Sequence, residues 1–264
     1  MSAPQEFSAL VLSRQNYRES DMLVKLLTDR FGKKMFLLHR ARKPGFAMGA
    51  GILPFTLGRY VGTISDGGLS YLNTVKTATQ YQAIAQDISL NAYATYVLSL
   101  IDLAYPDGEP IPHWFAHARE SLRLIDEGFD PAIIANIAEV QLLEAFGVQP
   151  EWRWCVLDQR SDLPLDFSEK FGGLLCQNHW DQDPYRYRIQ PKAMYLLRRF
   201  STLDLTQLQT INVSAATRNE LRRVLDRIYS DMVGVVPKAK RFLDQMHGWQ
   251  DQLPPLKPRG EDPK

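Results

Sequence analysis

Cysteine is scarce in this chain: two residues in 264, Cys155 and Cys176. Two thiols cannot build a disulfide framework, so the expected setting is a reducing cytoplasm. Long apolar runs are also missing. The longest candidate, Leu90 to Tyr105, is interrupted by Asn91, Ser99 and Asp102, which predicts no membrane span. The opening residues MSAPQEFS carry neither a basic nor an apolar region, so no secretion signal is expected. There is no GxxxxGK[ST] phosphate loop and no GxGxxG after a strand; Gly172-Gly173 lacks a following basic residue and a helix start. His113 and His117 stand four apart with Glu120 nearby, but the HExxH order is absent and the pair reads as a solvated helix face. No carboxylate pairing with a base, and none suited to Mg²⁺, is apparent, so the expectation is a protein that is not an enzyme.

What is present is an uneven distribution of charge beneath a net value of +1. Residues 1–80 carry 11 Lys/Arg against 5 Asp/Glu, residues 81–154 carry 3 against 11, residues 155–180 carry 2 against 4, and residues 181–264 carry 15 against 10. Clustered positive charge favours a nearby polyanion through counterion release, which an evenly mixed surface does not. An ordinary solvated face is the competing explanation.

Secondary-structure signals change at the same places. Short β-rich runs, FSALVLS (Phe7 to Ser13), KMFLLH (Lys34 to His39), LPFTLGRYVGTI (Leu53 to Ile64) and LSYLNTV (Leu69 to Val75), are separated by turn residues. That spacing predicts a small closed barrel or sandwich, and a five-stranded oligonucleotide-binding (OB) barrel fits the length and the charge. From Tyr81 to Leu103 the apolar period becomes helical, ending before Pro106-Asp107-Gly108. A second helix is expected from Pro112 to Gly128. A third, capped by Asp130 with Pro131 at its first position, should run to Gly147. Residues 150–185 break the pattern and read as a small irregular insertion. Helices resume over Ala193 to Leu203, and again after Ser214 until Gly234 and Pro237. The fold class is therefore α+β. The expected division is a barrel over 1–79, a helical domain over 80–149 and 186–250, the insertion over 150–185, and a disordered proline-rich tail over 251–264.

Nine basic residues lie between Arg14 and Lys43 against Glu19, Asp21 and Asp29. Arg40, Arg42 and Lys43 follow a strand, which places them at a barrel rim. The candidate DNA-binding set is Arg14, Tyr17, Arg18, Lys33, Lys34, Arg40, Arg42, Lys43 and Arg59. Cations for phosphates with rings for bases are what a single-strand site needs. Among the interleaved aromatics Phe36 is expected to be buried, and Tyr17 and Phe46 exposed.

These residues carry a resemblance. ALVLSRQNYRESDMLVKLLTDRFGKKMFLLHRARK, Ala9 to Lys43, resembles the opening of the RecO family of recombination mediators. The family pattern of an apolar strand, a Tyr-x-Glu-Ser-Asp turn, a Gly and an Ala-Arg-basic element is met by Tyr17-Arg18-Glu19-Ser20-Asp21, Gly32 and Ala41-Arg42-Lys43. Ile52 to Gly62, Leu142 to Cys155, Phe167 to Cys176 and Pro237 to Met246 follow in the family's order, so the similarity is collinear over roughly 7–246.

The resemblance implies an OB barrel and a helical domain, DNA binding and strand annealing without nucleotide hydrolysis, and help in loading recombinase onto strands coated by the single-stranded-DNA-binding protein, together with ring-forming RecR. The alternative is a protein adaptor that does not bind DNA directly. Many relatives bear two CxxC pairs that hold zinc; here Asp158 and His179 stand where the second and fourth cysteines would be. Cys155, Asp158, Cys176 and His179 are thus candidate ligands of a structural zinc, against apolar packing of Trp152, Trp154 and Phe171 in its place. After Ser214, Leu221, Val224, Leu225, Ile228 and Met232 form an apolar seam bordered by Arg218, Arg222 and Tyr229. These border residues are candidates for binding the acidic, aromatic-ended tail of the single-stranded-DNA-binding protein, and Lys238, Lys240 and Arg241 join them as candidate partner-binding residues. Pairing of Arg218 and Arg222 with acids of the middle region is the other reading.

Overall fold

The computed structural model describes residues 3–209 and 211–252. Five strands, β1 (Gln5–Tyr17), β2 (Asp21–Thr28), β3 (Lys33–Leu38), β4 (Leu57–Thr63) and β5 (Ser70–Thr79), close into a barrel of order β1-β2-β3-β5-β4. All pairings are antiparallel except β3 with β5. This is the expected OB-type barrel. Alternation fills its interior with Phe7, Val24, Leu26, Phe36, Tyr60 and Leu72. Phe7 stacks on Phe36 at 5.5 Å, and the Tyr60 hydroxyl donates to the Gly51 carbonyl at 2.7 Å. Phe36 is buried as expected, whereas Phe46 is half-buried against the same core rather than free.

Strand β2 was absent from the expected set, for a physical reason. Val24 and Leu26 point into the barrel while Leu27 points out, into the core of the helical region. Buried on both faces, DMLVKLLT loses the two-residue alternation that marks a half-solvated strand.

After α1 (Gln82–Gln86), Asp87 breaks the chain and caps α2 (Ile88–Ala104), accepting from the N–H groups of Ser89 at 2.7 Å and Leu90 at 2.9 Å. One expected helix is therefore two. Helices α3 (Pro112–Asp126) and α4 (Pro131–Leu142) follow, α4 capped by Asp130 as expected. The insertion is not irregular: β6 (Glu151–Cys155), β7 (Leu165–Ser168) and β8 (Gly173–Cys176) form a sheet of order β6-β8-β7. Helix α5 (Pro191–Phe200) precedes α6 (Ala215–Ile228), which Ser214 caps at 3.2 Å. The helix then widens into a π-turn, Tyr229–Val233, before Gly234 ends it. Helix α7 (Lys238–Gln252) closes the described chain and includes residues 251 and 252; the rest of the expected tail lies outside the described residues.

His117 corrects the solvated-face reading of its helix. It is buried against Trp114 at 4.7 Å, and burial pushes its imidazole down to about 4, with the nearby His113 acting in the same direction. Glu139 is its counterpart. Burial pushes this carboxyl up to about 7, although Tyr96 and Asn136 donate to it at 2.6 and 2.8 Å.

Barrel and helices meet through charge as well as apolar contact. Lys25 Nζ reaches Asp102 at 2.6 Å and Asp107 at 3.1 Å, and Lys33 Nζ reaches Asp102 at 2.8 Å and also the Asp102 carbonyl. Burial alone would lower Lys25 and raise Asp102. Their hydrogen bonds to each other and to Asp107 and Lys33 outweigh it, so Lys25 is raised and Asp102 lowered. Gly32, with φ +64°, sits where a β-carbon would lie 1.8 Å from the Glu109 carbonyl oxygen, so this approach requires glycine.

Candidate functional site

The β1–β2 turn and the loop after β3 pack together at one end of the barrel. Asp21 holds them: one carboxylate oxygen accepts from the Arg40 N–H at 2.8 Å, and the other faces His39 Nδ1 at 3.2 Å. The Arg40 N–H, with a smaller contribution from His39, keeps the Asp21 carboxyl below the usual range against the opposing effect of burial. Arg42 crosses to donate to the Glu19 carbonyl at 3.1 Å. Arg18 and Arg40 both adopt left-handed backbone, φ +51° and +54°. A side-chain-bearing residue held there costs of order 1 kcal/mol, which the hydrogen bond to Asp21 offsets at Arg40.

The arrangement leaves Arg14, Arg18, Arg40, Arg42 and Lys43 exposed, and among the described residues none pairs with a carboxylate. Tyr17 is half-buried, with the Arg18 guanidinium 5.1 Å from its ring. Arg59 is exposed but held by Glu6 at 2.6 Å, and Lys34 donates to the Ser65 carbonyl at 2.9 Å. Lys33 departs from the expected set: it is 1% exposed and committed to Asp102, so it cannot meet phosphate. Beside the cluster the structure shows two rings that sequence reasoning did not select, His39 and Tyr71, stacked with centroids 6.0 Å apart. The signal was available in LSYLNTV, where Tyr71 falls on the face opposite Leu72.

A second region lies between α2, α4, α6 and α7. A cavity of about 360 Å³ is lined by Tyr93, Ala135, Arg218, Arg222, Lys240 and Leu243, among others. Arg218 pairs with Asp130 at 3.4 Å, as the acid-pairing reading expected for it, and Lys240 is held by Asp226 at 2.8 Å and by Asp244. Tyr229 is buried, its hydroxyl donating to the Glu139 carbonyl at 2.9 Å, so it is part of the core and not of a binding border. Lys238 and Arg241 are exposed.

In the small sheet, Cys155, Asp158, Cys176 and His179 converge, with one ligand atom from each lying within 4.8 Å of the others. His179 Nδ1 is 3.4 Å from each sulfur, Asp158 Oδ2 is 3.5 Å from Cys176 Sγ, and Asp158 Oδ2 is 3.6 Å from His179 Nδ1. With Zn–S of about 2.3 Å and Zn–N or Zn–O of about 2.0–2.1 Å, a tetrahedral site has ligand-to-ligand edges of about 3.3–3.8 Å. The donor set fits zinc. Apolar packing coexists with it: Trp152 stacks on Phe167 at 5.3 Å.

An OB-type barrel joined to a helical region that carries a four-ligand cluster on a small sheet defines a two-part architecture, and comparison places it among known proteins. The family described as Recombination protein O N terminal matches residues 1–81, and Recombination protein O C terminal matches residues 85–241. The chain belongs to the RecO family of DNA repair and recombination proteins. It is similar to the DNA repair protein RecO of Latilactobacillus sakei (54% identical, covering 96% of this chain and 93% of that one). The same description belongs to the relatives in Lactiplantibacillus plantarum (53%; 95% and 97%) and Pediococcus pentosaceus (42%; 93% and 97%). Among the described residues no helix is long and apolar enough to cross a membrane.

Proposed function

We propose that this chain is a non-enzymatic, cytoplasmic recombination mediator associated with the nucleoid. It binds single- and double-stranded DNA, anneals complementary strands, and works with RecR to load recombinase on strands covered by the single-stranded-DNA-binding protein. The observation that carries this reading is the rim of Arg14, Arg18, Arg40, Arg42 and Lys43, exposed and without carboxylate partners among the described residues. Two approaching strands repel through their phosphates, and unpaired cations that displace counterions lower that barrier without reading sequence. The division of labour follows the expected boundaries, with DNA on residues 1–79 and partners on 80–149 and 186–250.

DNA titration at two salt concentrations tests the reading. The wild type should bind more weakly as salt rises. Replacing Arg40, Arg42 and Lys43 by Ala should lower the salt slope by roughly 0.9 for each phosphate no longer neutralised, on all sequences alike. An unchanged slope in the folded triple variant refutes the rim as the DNA site, and a wild type that ignores DNA favours the adaptor reading.

Two finer assignments belong to the same proposal. The cavity beside Arg222 takes the acidic, aromatic-ended tail of the single-stranded-DNA-binding protein, since Arg222 has no carboxylate partner among the described residues while Tyr93 and Leu243 line the apolar side. Arg222→Glu should abolish binding of the isolated tail peptide and leave naked-DNA binding nearly unchanged; surviving peptide affinity would make Arg222 structural. Cys155, Asp158, Cys176 and His179 hold a structural zinc that cross-links β6, β8 and the turns after them. Protein purified without chelators should contain about one zinc per chain, and Cys176→Ser should release it and destabilise the sheet. Metal-free protein of full stability would rule the zinc out.

A further inference from the structure

The barrel carries one aromatic feature that neither core packing nor the basic rim explains. Tyr71 is 45% exposed and the His39 side chain 63% exposed, yet their rings stand nearly parallel, 24° apart with centroids at 6.0 Å. Large exposed rings are usually isolated, and a pair held in register in solvent calls for a cause. Here the register is built in. Tyr71 lies on β5 where that strand pairs with β3 through Leu37, and its neighbour Leu72 anchors in the barrel core. His39 begins the loop after β3, and Asp21 holds its Nδ1 at 3.2 Å. The same carboxylate fixes the backbone of Arg40, so His39 and Arg40 hang from one support.

We propose that Tyr71 and His39 form a stacking platform for an unpaired nucleobase, making the barrel a single-strand site and not merely a phosphate-binding one. This rests on the DNA-binding reading above and adds to it the chemical class of the ligand. A flipped-out base offers a flat π-face to Tyr71, while the strand's phosphates reach Arg40, Arg42 and Lys43 one or more residues away along the loop. A duplex presents its bases already stacked and paired, with only its backbone available to the cations. The platform therefore separates single from double strands without reading sequence, as annealing requires: it holds a base face until a complementary strand competes for it.

The test compares three probes of equal length: oligothymidylate, an abasic deoxyribose-phosphate strand, and a duplex, each titrated at two salt concentrations. Tyr71→Ala should weaken oligothymidylate binding roughly tenfold, within the range that removal of one stacked ring produces. The loss on the abasic strand and the duplex should be much smaller, and the salt slope should stay at its wild-type value. Tyr71→Leu, which keeps apolar bulk but removes the π-face, should resemble Tyr71→Ala, whereas Tyr71→Trp should restore binding. Circular dichroism of each variant guards against loss of fold; an unfolded Tyr71→Ala leaves Leu and Trp to decide. Equal oligothymidylate affinity in wild type and Tyr71→Leu, or equal losses on all three probes, overturns the platform while the basic rim stands. A wild type that binds no probe overturns both.

Discussion

Two sets of cations from the same stretch of thirty residues, Arg14 to Lys43, meet opposite fates. Lys25 and Lys33, on the β2–β3 hairpin, turn toward the helical region and are consumed by Asp102 and Asp107. Arg18, Arg40, Arg42 and Lys43, at the β1–β2 turn and the loop after β3, and Arg14, opposite Val24 on β2, meet no carboxylate among the described residues. Charge density along the sequence treats the two alike. What separates them is the end of α2 and the connection that follows it, more than sixty residues later in the chain, whose Asp102 and Asp107 meet the barrel at Lys25 and Lys33. Positive charge becomes a binding site only where the rest of the fold leaves it uncompensated.

The comparison breaks most visibly at Lys33. Lys33→Ala removes a fully buried side chain with its bonds to Asp102; Lys25 still pairs with that carboxylate, so the cost, about 3 kcal/mol, comes from lost packing and hydrogen bonds and not from a stranded charge. Urea unfolding should show this loss, while the salt slope of DNA binding in the variant at low temperature stays at the wild-type value. Native stability together with a lower slope would return Lys33 to the DNA site.

A smaller effect probes buried charge without a partner of opposite sign in contact. Glu139, ordinarily near 4.5 and raised to about 7, favours the folded state fully below pH 4.5, and that contribution is lost as pH rises to 7. The loss is on the order of 2–3 kcal/mol. His117, lowered to about 4 from 6.5, acts the other way: its contribution is present above 6.5 and lost as pH falls toward 4. The two slopes oppose each other between 4.5 and 6.5. Glu139→Gln should expose the histidine slope, so that stability rises with pH across that window. A variant whose profile matches the wild type would show that Glu139 titrates normally. The smallest effect belongs to the rim, where replacing Arg40, Arg42 and Lys43 by Ala should change stability by less than about 1 kcal/mol, since these side chains are exposed and little beyond the Arg42 bond to the Glu19 carbonyl is lost. A larger loss would mean that these residues are structural after all.

These contrasts also mark how far the sequence could be read. The barrel and the Asp130 and Ser214 caps follow from local rules, alternation and capping chemistry, whereas the four-ligand cluster is reached only through the family resemblance. Strand β2 escaped because burial on both faces erases alternation. The small sheet over Glu151–Cys176 escaped because its strands are four or five residues long and one pairing is parallel, so no local period identifies them. Lys33 and Tyr229 were misassigned because their partners, Asp102 and the Glu139 carbonyl, come from distant segments. His39 and Tyr71 escaped for a related reason: their pairing exists only once β3 and β5 lie side by side.

That adjacency is also the place where the barrel is least firmly shut. Strands β3 and β5 join through two residue pairs, Phe36 with Ser70 and Leu37 with Tyr71, while each of the other four junctions has six to eight. The cylinder thus has a short clasp, and the stacked rings sit across it, one from each side. A base stacked on the outer face of this pair would favour the arrangement that joins the two sides of the gap, so part of its binding energy would appear as cohesion of the barrel itself.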